Sequence, residues 1–384
     1  MAMTDETREF HSNEELIGRT DINDLEAIFT QIGALEPDGR HIVEDHCPAE
    51  FTWDYAKGAR SGLDKLYEKA KRTQWNGSTD LPWETEVDQE HLAQMAYDEG
   101  ATGPVGSIDL AHTALASWGR DEWVQLNMEY QNWMLSQFLH GEQGALLCTA
   151  KIVETVPWID AKYYAATQVM DEARHVEVFS RYLDTKLNGH YQMNAHLGML
   201  LDDILADSRW DLTYLGMQIM VEGLALAAFG FLHQTTRDPL LKQLLRYVMA
   251  DEARHVAFGV LSLQEVYQDM SATELRDRQE FAFEAALRMR DRLAAQEVWD
   301  RMGVSPKDAA IVASHDAGRL EFQSLLFSKI VPNCKKLGLL DAGDGWLRDR
   351  FTDMGVIVFE DFIDTVAEVD LAAETGPAER ALLD

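Results

Sequence analysis

Cysteine is scarce in this chain of 384 residues: Cys47, Cys148 and Cys334 stand far apart and form no C-x-x-C pair. That excludes a disulfide-stapled scaffold and a zinc ribbon, and the three read as reduced thiols, Cys148 as a small core residue. Only nine prolines interrupt the chain, so long helices are permitted. Cations are few, 34 Lys and Arg against 66 Asp and Glu, for a formal net charge of −32. Nucleic acid and anionic membrane surfaces both require a basic footprint, so neither is an expected partner. Lys329, Lys335 and Lys336 are the one local concentration of positive charge, the candidate patch for an acidic carrier. No window approaches 18 uninterrupted apolar residues, so no membrane span is expected. The start, Met1-Ala2-Met3-Thr4-Asp5-Glu6, lacks the basic and apolar regions of a secretory signal, which predicts a cytoplasmic protein. Strand alternation is absent. There is no P-loop either, and Gly103-Pro104-Val105-Gly106 reads as a turn.

What is there is helical periodicity. Residues 1–20 read as polar and mobile, followed by short helices over 21–32, 56–72, 86–98 and 107–118, with turn-rich pieces such as Glu36-Pro37-Asp38-Gly39 between them. Trp53, Tyr55, Trp75 and Trp83 in this region read as packing residues. Long helices are predicted over 121–150, from Pro157 to Gly189, over 207–235, and from the cap Asp238-Pro239 to about 268. Ser271-x-x-Glu274 opens a fifth helix to 302, Ser305-Pro306 a sixth to 337, and a seventh covers 346–370. The expected fold is all-α: an N-terminal helical cap (1–118), a four-helix bundle (119–270) and C-terminal helices packed on it (271–384).

One string occurs twice. Asp171-Glu172-Ala173-Arg174-His175-Val176 returns 80 positions later as Asp251-Glu252-Ala253-Arg254-His255-Val256, and the same offset relates Glu142 to Glu222. Each Glu precedes its E-x-x-H by 30 residues, so the two halves match without a gap. On a helix that turns about 100° per residue, Asp171, Glu172 and His175 share one face, so one helix can offer a carboxylate and an imidazole to one metal. A lone E-x-x-H is usually a solvated i,i+3 pair. Two copies, each with a Glu in an apolar setting, are not, because a buried carboxylate needs a strong partner. Glu142, Glu172, His175, Glu222, Glu252 and His255 together form the inward-facing ligand set of a di-iron bundle, a composition suited to two iron ions or a manganese–iron pair.

This spacing resembles the ferritin-like di-iron carboxylate superfamily, in particular bacterial multicomponent monooxygenase hydroxylases and soluble acyl-carrier-protein desaturases, over residues 121–268. The resemblance implies the same six ligands, with Glu142 and Glu222 on the catalytic side. It also implies Asp171 and Asp251 as acceptors for the free ring N–H of a ligand histidine; four residues before its own histidine each is too strained to serve it, so each is expected to serve the histidine of the other motif, Asp171 to His255 and Asp251 to His175. The chain departs from the pattern at Leu226, where the monooxygenases place a threonine. It departs again at Phe179, where the ribonucleotide reductase small subunit carries a tyrosine, and at Val248, where arylamine N-oxygenases add a histidine. Tyr182 and Tyr214 are the remaining candidates for a protein radical. The small residues Gly141, Gly144, Ala145, Gly223 and Ala225 either leave room for a substrate walled by Phe138, Phe179 and Phe229, or let helices approach closely. His140 points away from the ligand face. The resemblance implies an O2-activating oxygenase that hydroxylates or N-oxygenates a small organic molecule. The alternatives are a fatty-acyl desaturase, a radical-generating subunit and an iron-storage ferroxidase. It further implies an electron-donor reductase or ferredoxin and a homodimer.

Overall fold

The computed structural model of the chain describes residues 11–31, 40–100, 110–187, 189–315 and 317–374. The turns expected at Glu36–Gly39 and Gly103–Gly106, and the first three residues of the helix expected over 107–118, lie outside them; the rest of that expected helix forms turns and only a short 3-10 helix, Ala114–Ser117. Among the described residues the secondary structure is entirely helical.

The principal helices are α1 (Ser61–Arg72), α2 (Arg120–Thr155), α3 (Ile159–Lys186), α4 (Ala195–Ala206), α5 (Trp210–Thr235), α6 (Pro239–Tyr267) and α7 (Ala272–Asp291). Helices α2 and α3, joined by three residues, pack along one another, as do α5 and α6; the two pairs form the bundle, and α1 lies across α3 and α6. Local chemistry sets the boundaries. The Glu122 carboxylate accepts the Gly119 N–H at the start of α2. Asp238 caps α6, with Pro239 in the first turn, and Ser271 and Glu274 close a capping box on α7. The apolar core is continuous from Leu16 through the bundle to Phe351. Helix α5 is long and apolar enough to cross a membrane by length and composition, but 78% of its most apolar stretch is buried inside the protein.

Helix α5 is irregular. Leu215–Val221 is wound as a π-helix and is buried throughout, and the N–H of Glu222 bonds the carbonyl of Met217, five residues back. A π-turn widens a helix locally and is common at functional sites. Here it ends on Glu222. Gly216 sits within it, where a Cβ would lie 2.5 Å from Ile204, so α4 can pack against the widened turn only because no side chain intervenes.

Several expectations require correction. Residues 13–17 form a short helix with a Ser12–Glu15 capping box, and Leu16 and Ile17 enter the core instead of moving freely. Helix α4 was not anticipated; Asn194 caps it by accepting the His196 and Leu197 N–H groups. The helix expected from 56 starts at Ser61, because buried Asp160 takes the N–H groups of Gly58 and Arg60 at 2.8 and 2.9 Å. Exposed Trp53 and Tyr55 do not pack in the core; they lie in a non-helical segment where Phe51 and Trp53 stack. The fifth helix stops at Asp291, not 302. The sixth does not run unbroken to 337: after Leu325 it tightens into a 3-10 turn over Leu326–Ser328 and a separate helix, Ile330–Lys336, follows, since Pro332 has no N–H with which to continue a preceding helix. The seventh ends near Gly355, whose φ of 74° stops it, and a separate helix, Thr365–Glu374, follows.

Candidate metal centre

Helix α2 supplies Glu142, α3 Glu172 and His175, α5 Glu222, and α6 Glu252 and His255, and all six side chains are buried. They converge as two overlapping groups: Glu142, Glu172, His175 and Glu252, and Glu172, Glu222, Glu252 and His255. Within each group the donor atoms lie within 4.8 Å of one another. Glu172 and Glu252 belong to both. His175 Nδ1 lies 3.2 Å from Glu142, 3.1 Å from Glu252 and 3.4 Å from Glu172. His255 Nδ1 lies 3.0 Å from Glu172 and 3.4 Å from Glu252.

Without cations this is an unfavourable assembly. Burial, reinforced by the neighbouring carboxylates, pushes Glu142 and Glu222 well above the ordinary carboxylate range. Burial disfavours the charged form of His175 and His255 as well, but the carboxylates around them outweigh it and raise both. Glu172 Oε2, Glu222 Oε2, both oxygens of Glu252 and His255 Nδ1 face inward with no hydrogen-bond partner. Buried oxygens without partners, aimed at a common centre, are what a bound cation satisfies. Two divalent ions would balance the four glutamates and coordinate the free imidazole nitrogens, so the donor set fits a di-metal cofactor.

A second layer holds this set in place. His175 Nε2 lies 3.2 Å from Asp251, and His255 Nε2 lies 3.3 Å from Asp171; each aspartate serves the histidine of the other helix. Arg174 and Arg254 repeat the crossing, each binding both aspartates. The resulting Asp171–Asp251–Arg174–Arg254 group is buried and neutral. Burial opposes ionisation of Asp251, but the His175 hydrogen bond and the Arg254 charge outweigh it and hold the carboxylate far below its usual range. Trp75 Nε1 donates to Asp251 at 2.7 Å, and Gln74 Nε2 to Asp171 at 2.9 Å, tying the N-terminal helices to the centre. Gln168 Nε2 donates to Glu172 at 3.1 Å and to Glu222 at 2.9 Å. Both arginines stand in the repeated string, which could have marked them, but no role at the centre was expected of them. Gln168 and Trp75 had no counterpart in the other half to mark them.

On the side away from the histidines lies a small cavity of about 20 Å³. Glu142, Glu222 and Glu252 line it together with Phe138, Gly141, Ala145, Ala225 and Phe229. The small residues divide by role. A Cβ on Gly141 would meet nothing within 4 Å, whereas one on Gly144 would lie 2.7 Å from Leu201, so Gly144 serves the approach of α4. Phe179 stands behind the wall, packed on Phe138 and Phe229. His140 Nε2 donates to the Tyr191 carbonyl at 2.8 Å, outside the centre.

A bundle that gathers two E-x-x-H pairs and two further glutamates around one buried point is the arrangement of the ferritin-like di-iron carboxylate superfamily, and the comparisons support that class and an oxidoreductase with a di-metal site. A model of the family described as p-aminobenzoate N-oxygenase AurF matches residues 150–338, a span that includes five of the six convergent residues but not Glu142. No curated protein matches the sequence. Among solved structures, an R2-like ligand-binding oxidase variant with an anaerobically reconstituted Mn/Fe cofactor is 19% identical, covering 73% of this chain and 94% of its own, with a TM-score of 0.45. An R2-like ligand-binding oxidase with an aerobically reconstituted metal cofactor is 18% identical, covering 79% and 93%, with a TM-score of 0.40.

Proposed function

We propose that this protein is an O2-dependent di-metal oxygenase that hydroxylates or N-oxygenates a small organic substrate. The observation that carries the reading is the buried donor set with its unpartnered inward-facing oxygens, beside which a cavity of about 20 Å³ reaches Glu142, Glu222 and Glu252 on the face opposite both histidines and leaves room for O2 next to the centre. In this reading Glu142, Glu172 and His175 hold one metal with Glu252, and Glu222 and His255 hold the other, with Glu172 and Glu252 common to both. Bound at these residues, two reduced iron ions or a manganese–iron pair would supply paired electrons to O2. Asp251 and Asp171 fix the tautomer of His175 and His255 so that each Nδ1 is a free donor atom. Gln168 anchors one oxygen of Glu222 and leaves the other facing inward, where it can turn or hold a proton.

The rest of the chain supports an oxygenase over the alternatives. Lys329 pairs with Glu368, Lys335 with Asp361 at 2.7 Å and Lys336 with Asp364 at 3.5 Å, so the expected basic patch for an acidic acyl carrier is neutralised. Tyr182 is bound to Asp238, the α6 cap, and is not one of the cavity-lining residues. The matched family is described as acting on p-aminobenzoate, which makes arylamines the first substrates to try. Further parts of the proposal are an external reductase or ferredoxin, a homodimer and a cytoplasmic location, with the bundle of 119–270 carrying the chemistry and the flanking helices covering it. The test is reaction of iron-loaded, reduced protein with ¹⁸O2 and a panel of arylamines and small aromatics. Product carrying one labelled oxygen supports the proposal. Accumulation of many iron ions per chain, or label entering only from H2¹⁸O, overturns it.

A further inference from the structure

Between α5 and α6 the core is not wholly apolar. Leading away from the metal centre, Gln218 and Tyr214 on α5 and Ser262 and Tyr267 on α6 are all buried, and neither the amide of Gln218 nor the hydroxyls of the other three have a hydrogen-bond partner. A buried polar atom without a partner is costly, so four such side chains along one seam call for a common explanation.

The seam has an order. Gln218 stands one turn before Glu222, inside the π-turn, and lies against Gly259, one turn after His255: a Cβ on Gly259 would be 2.6 Å from the Cβ of Gln218. Tyr214, a further turn along α5, packs on Phe258 with ring centres 5.0 Å apart. Burial raises the pKa of its hydroxyl and Ser262 alone counteracts the rise, which sets the two hydroxyls face to face although no direct hydrogen bond closes between them. Tyr267 follows. Burial, and after it the charge of Asp211, raises the pKa of its hydroxyl, while Arg278 opposes the rise, which places it beside that ion pair. Arg278 holds Asp211 at 2.9 and 3.1 Å and Asp277 at 3.1 Å, and exposed Arg209 also binds Asp277. Arg209 and Asp277 line an open cleft of about 190 Å³. From Glu222 to Asp211 the helix covers about 16 Å, so the seam joins the buried centre to solvent.

We propose that this seam is a proton-delivery path, in which water bound to Gln218, Ser262, Tyr214 and Tyr267 carries protons from the Arg209–Asp277 cleft to Glu222. The inference rests on the O2-dependent reading of the centre and adds to it the route by which protons arrive. Inserting one oxygen atom into an organic molecule consumes O2, two electrons and two protons and releases one water; the electrons come from the reductase or ferredoxin, and the protons must cross the core. Buried water bonds polar groups that lack protein partners. A hydroxyl donates and accepts at once, so Tyr267, Ser262 and Tyr214 each pass on one proton as they take up another, with no net charge left in the core. The Gln218 amide does not exchange protons in this way; it orients the water next to Glu222, whose unpartnered Oε2 receives the proton. The π-turn lies where the seam meets the centre, in keeping with the functional use of such widened turns.

The experiment has two readouts. In a crystal of the iron-loaded protein, ordered water should bond Gln218 and the hydroxyls of Ser262, Tyr214 and Tyr267; a dry Gln218 and Ser262 would overturn the proposal, whatever the variants do. The second is the oxidation of reduced, iron-loaded protein by O2 without organic substrate, followed by iron(III) absorbance in H2O and in D2O. There two iron(II) ions, O2 and two protons give two iron(III) ions and hydrogen peroxide. Gln218→Met and Ser262→Ala should keep their iron content and slow this step by about a hundredfold, with a larger slowing in D2O than the unaltered protein shows, and Ser262→Thr, which restores the hydroxyl, should recover most of the rate. Unchanged rates in Gln218→Met and Ser262→Ala, or equal slowing in Ser262→Thr and Ser262→Ala, overturn the proposal. No organic product forms in these measurements, so a failure of ¹⁸O incorporation with the proton path intact would count against the oxygenase reading alone.

Discussion

Asp251 on α6 receives the Nε2–H of His175 on α3 at 3.2 Å, and the relation is returned by Asp171 and His255 at 3.3 Å. An aspartate four residues before a histidine on the same helix cannot reach round to that ring's outer nitrogen, but two facing copies of the motif satisfy one another. Asp251→Asn or Asp171→Asn exchanges an acceptor for a group able to present N–H, and each should weaken metal binding by about 10–100-fold. Titration of metal-free protein with Fe(II), read against a competing chelator, measures this; unchanged affinity in both variants would contradict the positioning role.

Stability of the metal-free protein should fall as pH rises from about 5 to 8. Glu142 and Glu222 are raised above their unfolded values and so are His175 and His255, which means the folded chain binds more protons than the unfolded chain across this range. For each such group the favourable contribution is complete below the unfolded pKa and is lost as pH climbs toward the folded one. Metal binding displaces those protons, so the stabilisation by Fe(II) should grow over the same interval. Thermal melts at pH 5.5 and 8 with and without metal test both slopes; parallel slopes would be inconsistent with proton–metal exchange at these residues.

Gly141 and Gly144 stand one turn apart and should respond differently. Gly141→Ala adds a methyl to open cavity space and a better helix former to α2, so Tm should rise, by an amount equivalent to about 0.5–1 kcal/mol. Gly144→Ala drives a Cβ against Leu201 and should destabilise by about 1–3 kcal/mol. A larger side chain, as in Gly141→Leu, should leave iron content intact while reducing substrate affinity.

The duplicated D-E-A-R-H string and its 80-residue offset made the convergent residues legible, because period, burial and ligand chemistry agreed there. The long helices were legible for the same reason, since Asp238-Pro239 and Ser271-x-x-Glu274 are strong local caps. Three features were not. The π-turn of Leu215–Val221 lies in a segment buried on every side, so no polar face records the change of winding. Helix α4 rests on one cap residue, Asn194, in a stretch that reads as a connection. The break after Asp291 is marked by neither glycine nor proline, and the arginine-rich run Arg288–Arg292 reads as a solvated helical face although its last member turns inward.

The most direct test of the central claim is the metal count. After loading with Fe(II) and removal of unbound metal, elemental analysis should find two ions per chain. Glu172→Ala, which removes a residue common to both ligand groups, should lose most of both, and His255→Ala should lose about one. Near-full retention of two ions in both variants, with the fold intact by circular dichroism, would contradict the assignment of this cluster as the di-metal centre.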